Sequence, residues 1–147
     1  MKIKYPAVIV ATLAHYILGG LWYSPLILGN KFLQIVGPER VKAMENQNHT
    51  KELAIAFGLS LVLVYTLSFF VQYTNATKWY EGVHTAFWLW LGFVVTTQLP
   101  TVLFEQRAMG LFLINVGYQF VGCAIAGAIL ATWRVPEETK GAATQPA

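Results

Sequence analysis

Four long apolar runs, over residues 6–26, 53–72, 83–103 and 111–133, dominate the chain. Each comes close to the roughly 20 apolar residues that carry a helix across a bilayer. Barrel strands would be shorter and would alternate apolar with polar, which these runs do not. Inside a bilayer no water satisfies the peptide groups, so a spanning segment of this kind folds as a helix. The sequence therefore predicts an all-α, polytopic membrane protein: four transmembrane helices in an antiparallel bundle, forming one domain over residues 1–134. The remaining stretch, 135–147 ("PEETKGAATQPA" with the preceding Val), is small and polar and predicts a disordered tail.

Charge supports this. Only 12% of residues are charged and there is no Asp, whereas a soluble domain has about 25% charged residues. All ten basic residues fall between or beside the apolar runs, so the net charge of +3 does not form a face for phosphates. No nucleic-acid partner is expected, and the lipid bilayer is the expected partner. The single Cys123 excludes an intrachain disulfide. Lys2 and Lys4 before the first run resemble the start of a signal peptide. The run exceeds the usual ~7–15-residue core and lacks a small-x-small cleavage site, so it reads as an uncleaved spanning helix.

Tyr5, Trp22, Tyr23, Tyr73, Trp79, Tyr80 and Trp133 mark the ends of the runs, at headgroup level. In the first connection, "NKFLQIVG" has the spaced apolar residues of a short interfacial helix, and "PERVKAMENQ" places Pro38 at a first helical position. The basic residues divide five against five between the two sides, which leaves orientation undecided. The halves also echo each other (Gly19/Pro25 then Gly58; Gly92/Pro100 then Gly117), the pattern of a tandem two-helix repeat about an axis along the membrane normal.

An antiparallel bundle gathers most intramembrane polarity in one leaflet. Trp22, Tyr23, Ser24 and Pro25 end the first run there, and Lys51, Glu52 and Ser60 begin the second. Thr96, Thr97, Gln98 and Pro100 close the third, and Glu105, Arg107, Asn115, Tyr118 and Gln119 follow. Asn115 and Gln119 share a helix face with Gly122 and Ala126. His15 lies near mid-membrane, where an ionisable group is a functional candidate. The candidate binding set is His15, Trp22, Tyr23, Ser24, Thr97, Gln98, Glu105, Arg107, Asn115, Tyr118 and Gln119. A plainer role stands beside each: interfacial anchor for Trp-Tyr, helix stop for Ser-Pro, interhelical bonding for the amides and His15, solvation for Glu105 and Arg107.

The three histidines fall at three depths, so no metal is expected, and no motif calls for a cofactor. Phosphate loops, nucleophile elbows and paired carboxylates are missing, which leans against an enzyme. Small residues recur at four-residue spacing (Cys123, Gly127, Ala131; Ala54, Gly58; Gly122, Ala126), suiting close helix packing within the bundle, in a homo-oligomer or against another membrane subunit.

"LGGLWYSPLILGNKF", then "FEQR", then "LFLINVGYQ" followed by "GAIL", resembles a bacterial family of small four-helix integral membrane proteins catalogued only as a domain of unknown function. The resemblance covers residues 7–133. It implies the same fold and a bacterial cytoplasmic (inner) membrane, and no established activity. Two functional readings remain: an oligomeric small-solute or proton-coupled transporter, and an accessory or assembly subunit of a larger membrane complex. A lipid-directed enzyme rests only on Glu105, Arg107 and Tyr118.

Overall fold

The computed structural model describes residues 3–46 and 48–133, and these residues are helical without strands; the tail expected over 135–147 lies outside them. Helix α1 (Tyr5–Trp22) starts with Pro6 in its first turn, where a missing N–H costs nothing. It stops four residues before the end of the apolar run that the sequence marks, because Ser24 precedes Pro25 and such a residue avoids helical backbone. The chain then reverses tightly, with Leu28 N–H donating to Trp22 O and Gly29 N–H to Ser24 O. A Cβ on Gly29 would stand 2.5 Å from Tyr23 O, so this turn admits only glycine.

Helices α2 (Gly29–Val36) and α3 (Pro38–Glu45) fill the first connection, with Pro38 at the start of α3 as its sequence suggests. Gly37 turns the chain between them at φ +91°. Helix α4 (Thr50–Tyr73) is the second span. The third, Trp79–Leu103, consists of α5 (Trp79–Leu89), a π-helical segment (Trp90–Val95) and α6 (Thr96–Leu103). The wide turn precedes Pro100, which lacks an N–H. Thr96 and Thr97 hydroxyls donate to Gly92 O and Phe93 O, satisfying carbonyls of the segment where lipid offers no donor. Helix α7 (Met109–Thr132) follows a tight turn in which Gln106 takes φ +53°. Among the described residues four helices are thus long and apolar enough to cross a membrane, and they form the antiparallel bundle. The two halves differ in that α2 and α3 follow only the first span and the π segment interrupts only the third.

Helix α7 lies at the centre, against α5, α1 and α4. The core is built from small side chains, with Ala11, Ala126 and Ala131 fully buried. Larger apolar side chains such as Ile9, Leu59, Val62 and Phe93 face outward. Water would not tolerate so much exposed apolar surface, and lipid favours it.

Candidate functional site

The α1–α7 pair is a continuous antiparallel register. At one end Lys4 Nζ donates to Trp133 O at 3.0 Å. In the middle His15 seats in the notch of Gly122, and Tyr118 seats in the notch of Gly19. A Cβ on Gly122 would stand 2.6 Å from His15 Cδ2, and one on Gly19 would stand 2.9 Å from the Tyr118 hydroxyl. Each helix thus supplies a ring and a glycine four residues apart, and the rings interlock. At the other end Trp22 Nε1–H donates to Ile114 O at 3.1 Å, and Tyr23 donates to Asn115 Oδ1 at 2.7 Å. Tyr23 lies just beyond α1, and burial pushes its phenol above the ordinary value, so it stays protonated and remains the donor.

His15 is 3% exposed. Its Nδ1 lies 3.1 Å from Ser60 Oγ on α4 and 3.2 Å from the Tyr118 hydroxyl, which also approaches His15 O at 3.4 Å. Gln119 is near enough to influence the imidazole. Even so, His15 Nε2 and Gln119 Oε1 are buried without a hydrogen-bond partner of acceptable geometry among the described residues. Beside them is a cavity of about 530 Å³ between α1 and α4, with α7 as its floor. His15, Ser60, Tyr118 and Gln119 form its polar part, and Ile17 and Leu59 belong to its apolar wall. A second cavity, about 950 Å³, lies beneath α2 and α3 and is lined in part by Arg40, His49 and Asn115. Tyr23 and Leu53 line both cavities and so partition them.

The sequence-predicted set therefore divides. His15, Tyr23, Tyr118 and Gln119 line the inner cavity, Asn115 holds Tyr23, and Trp22 ties α1 to α7 just beyond. Ser24 Oγ donates to Leu21 O at 2.6 Å, the local bond of a helix end. Thr97 is exposed and bonded to its own helix, and Gln98 is half-buried but not on the cavity wall. Glu105 and Arg107 pair with each other at 2.9 Å on the surface, at 55% and 60% exposure. Ser60 and the Gly122 notch belong to the site but were not in that set. Ser60 shares a helical face with Leu53 and Ala56 at spacings of three and four, a signal available in the sequence.

Two expectations follow. In a double-mutant cycle of Tyr23→Phe and Asn115→Ala, read as thermal stability in detergent, the coupling should be about 0.6–2 kcal/mol, the range of interhelical hydrogen bonds in membrane proteins. Independent, additive losses would show that the contact contributes nothing. Replacing Glu105 and Arg107 together by Gln should change stability by less than about 1 kcal/mol, as for other exposed pairs. A larger drop in the same melt would mean the pair supports the bundle.

Residues 6–131 match the profile of the family described as "Protein of unknown function (DUF1761)". No curated protein and no solved structure matches. With the match running from the first turn of α1 almost to the end of α7, the chain belongs to this DUF1761 family of proteins of unknown function.

Proposed function

We propose that this protein is a small-solute transporter of a bacterial cytoplasmic membrane, working as an oligomer and holding its solute at the His15–Tyr118–Gln119 cluster. The observation that carries this reading is a pair of buried polar atoms, His15 Nε2 and Gln119 Oε1, that make no hydrogen bond of acceptable geometry among the described residues, beside a cavity of about 530 Å³. Buried polar groups are normally satisfied, because each one left unpaired costs about 1–3 kcal/mol. Such a pair next to an open volume suits a site completed by a bound molecule. The mainly apolar wall and polar floor fit a neutral solute with few hydrogen-bonding groups.

Assembly is supported by what the chain leaves uncovered. Only 6% of the apolar window of the third span is buried within the chain, against 39% for α7. Ala54 and Gly58 form an exposed small-residue face on α4, with nothing within 4 Å of a Cβ placed on Gly58. The same uncovered faces favour the second reading, an accessory or assembly subunit whose partner is a different membrane chain.

The test is uptake in proteoliposomes of radiolabelled small alcohols, amides and amines, with and without an imposed pH gradient. Uptake above protein-free vesicles that disappears in the double variant His15→Leu, Gln119→Leu is the expected result. Uptake equal to that of protein-free vesicles across the panel opposes transport and favours the subunit reading.

A further inference from the structure

The polar floor of the inner cavity has a specific donor and acceptor pattern. His15 Nδ1 faces two hydroxyls, those of Ser60 and Tyr118, at 3.1 and 3.2 Å. Hydroxyls can donate to it, and a neutral imidazole has one acceptor and one donor nitrogen. With Nδ1 accepting, Nε2 carries the hydrogen. The two atoms are then complementary in kind, an N–H donor on His15 and a carbonyl acceptor on Gln119; the side chains approach each other closely enough to interact but make no hydrogen bond of acceptable geometry. One chemical group that satisfies both is a hydroxyl, which accepts from Nε2–H and gives its own hydrogen to Oε1.

We infer that the inner cavity binds a hydroxyl-headed, otherwise apolar molecule, with its hydroxyl bridging His15 Nε2 and Gln119 Oε1 and its body lying against Ile17, Leu59 and Leu63. The inference rests on the solute-site reading above and names the chemical class. The imidazole edge is fixed, since it fills the notch of Gly122, where a Cβ would stand 2.9 Å from Nε2. Gln119, half-buried on the cavity wall, is the side chain with room to turn. Neither atom presents open surface in this state. Binding therefore requires the Gln119 amide to swing toward the cavity, which opens both atoms to the hydroxyl. A carboxylate or phosphate would bring a charge into an apolar pocket without a cation on its lining, and an ether or hydrocarbon would leave Oε1 unsatisfied. The hydroxyl belongs either to a free small alcohol or to the head of a lipid such as a diacylglycerol, and both present the same group.

The test uses full-length protein labelled with ¹⁵N-histidine, in nanodiscs of phosphatidylcholine. Benzyl alcohol and its methyl ether are titrated while the Nε2 resonance of His15, assigned with a His15→Gln variant, is followed. The alcohol should shift that resonance saturably and at about 10-fold lower concentration than the ether, the effect of one hydrogen bond to buried polar groups. Gln119→Leu, checked by thermal melting to be folded, should bring the alcohol to the level of the ether. A second series adds diacylglycerol to the nanodiscs. A response to benzyl alcohol assigns a free small alcohol, and a response to diacylglycerol alone assigns a lipid hydroxyl. Equal effects of alcohol and ether, or a resonance that exchanges with bulk water and ignores both alcohols, overturn the inference. Saturable alcohol binding without flux of any solute would leave this inference standing and remove transport. Flux that depends on His15, with alcohol and ether equivalent, would do the reverse.

Discussion

Replacing Gly127 or Gly82 with leucine should prevent the bundle from assembling. These glycines bring α5 and α7 together backbone to backbone. A Cβ on Gly127 would stand 2.5 Å from Gly82 O, and a Cβ on Gly82 would overlap Gly127 O. A flexible side chain can yield to such a contact, but two helix backbones must separate. Overpacking costs typically ~1–3 kcal/mol where side chains can adjust, and leucine against backbone should exceed that. The expected result is loss of the monodisperse peak in detergent for either variant. Gly58→Leu is the control for the fold of the single chain, since nothing of the chain lies within 4 Å of that position: its helicity and melting should match the wild type, and any change should be confined to oligomer size, because Gly58 belongs to the uncovered face of α4. A Gly127→Leu protein that melts with the wild type would show that α5 and α7 do not pack as described.

The second large effect concerns His15. His15→Leu keeps an apolar body for the Gly122 notch but removes the ring that faces Ser60 and Tyr118. Tyr118 retains an alternative acceptor in the backbone carbonyl at 3.4 Å, and Ser60 retains the Tyr118 hydroxyl as a partner. The fold should survive at a cost of about 1–3 kcal/mol. Affinity for any molecule held in the inner cavity should fall about 10-fold or more, the worth of one lost hydrogen bond to a buried group. Thermal melting and ligand titration on the same preparation separate the two effects. A variant that binds as tightly as wild type would place the ligand elsewhere.

Much of this architecture was legible in the sequence, and the exceptions have identifiable causes. The four spans follow from length and hydropathy, and Pro38 marks the start of α3 by its fixed φ. The α1 boundary was harder, because Leu26 and its neighbours remain apolar after Ser24 and Pro25 have already ended the helix. Depth at the end of the third span groups Thr97 and Gln98 with the polar cluster, but the face they take is set by helical phase, about 100° per residue. The π-helical segment at Trp90–Val95 breaks that phase, so residues beyond it turn to another face. Glu105 and Arg107 meet each other because Gln106 between them takes a left-handed conformation, which hydropathy does not reveal. The small residue at 122 signalled close packing, but the matching notch at Gly19, and which ring fills which notch, depend on the α1–α7 register, a property of tertiary structure.

The proposed assembly is a homo-oligomer whose chains each hold a small molecule at His15. Native mass spectrometry of the intact assembly, extracted in mild detergent, measures this directly. The expected result is a homo-oligomer carrying a small-molecule adduct that is absent from the His15→Leu protein. A mass that requires a different subunit, with no adduct, would contradict it and identify the partner of an accessory protein.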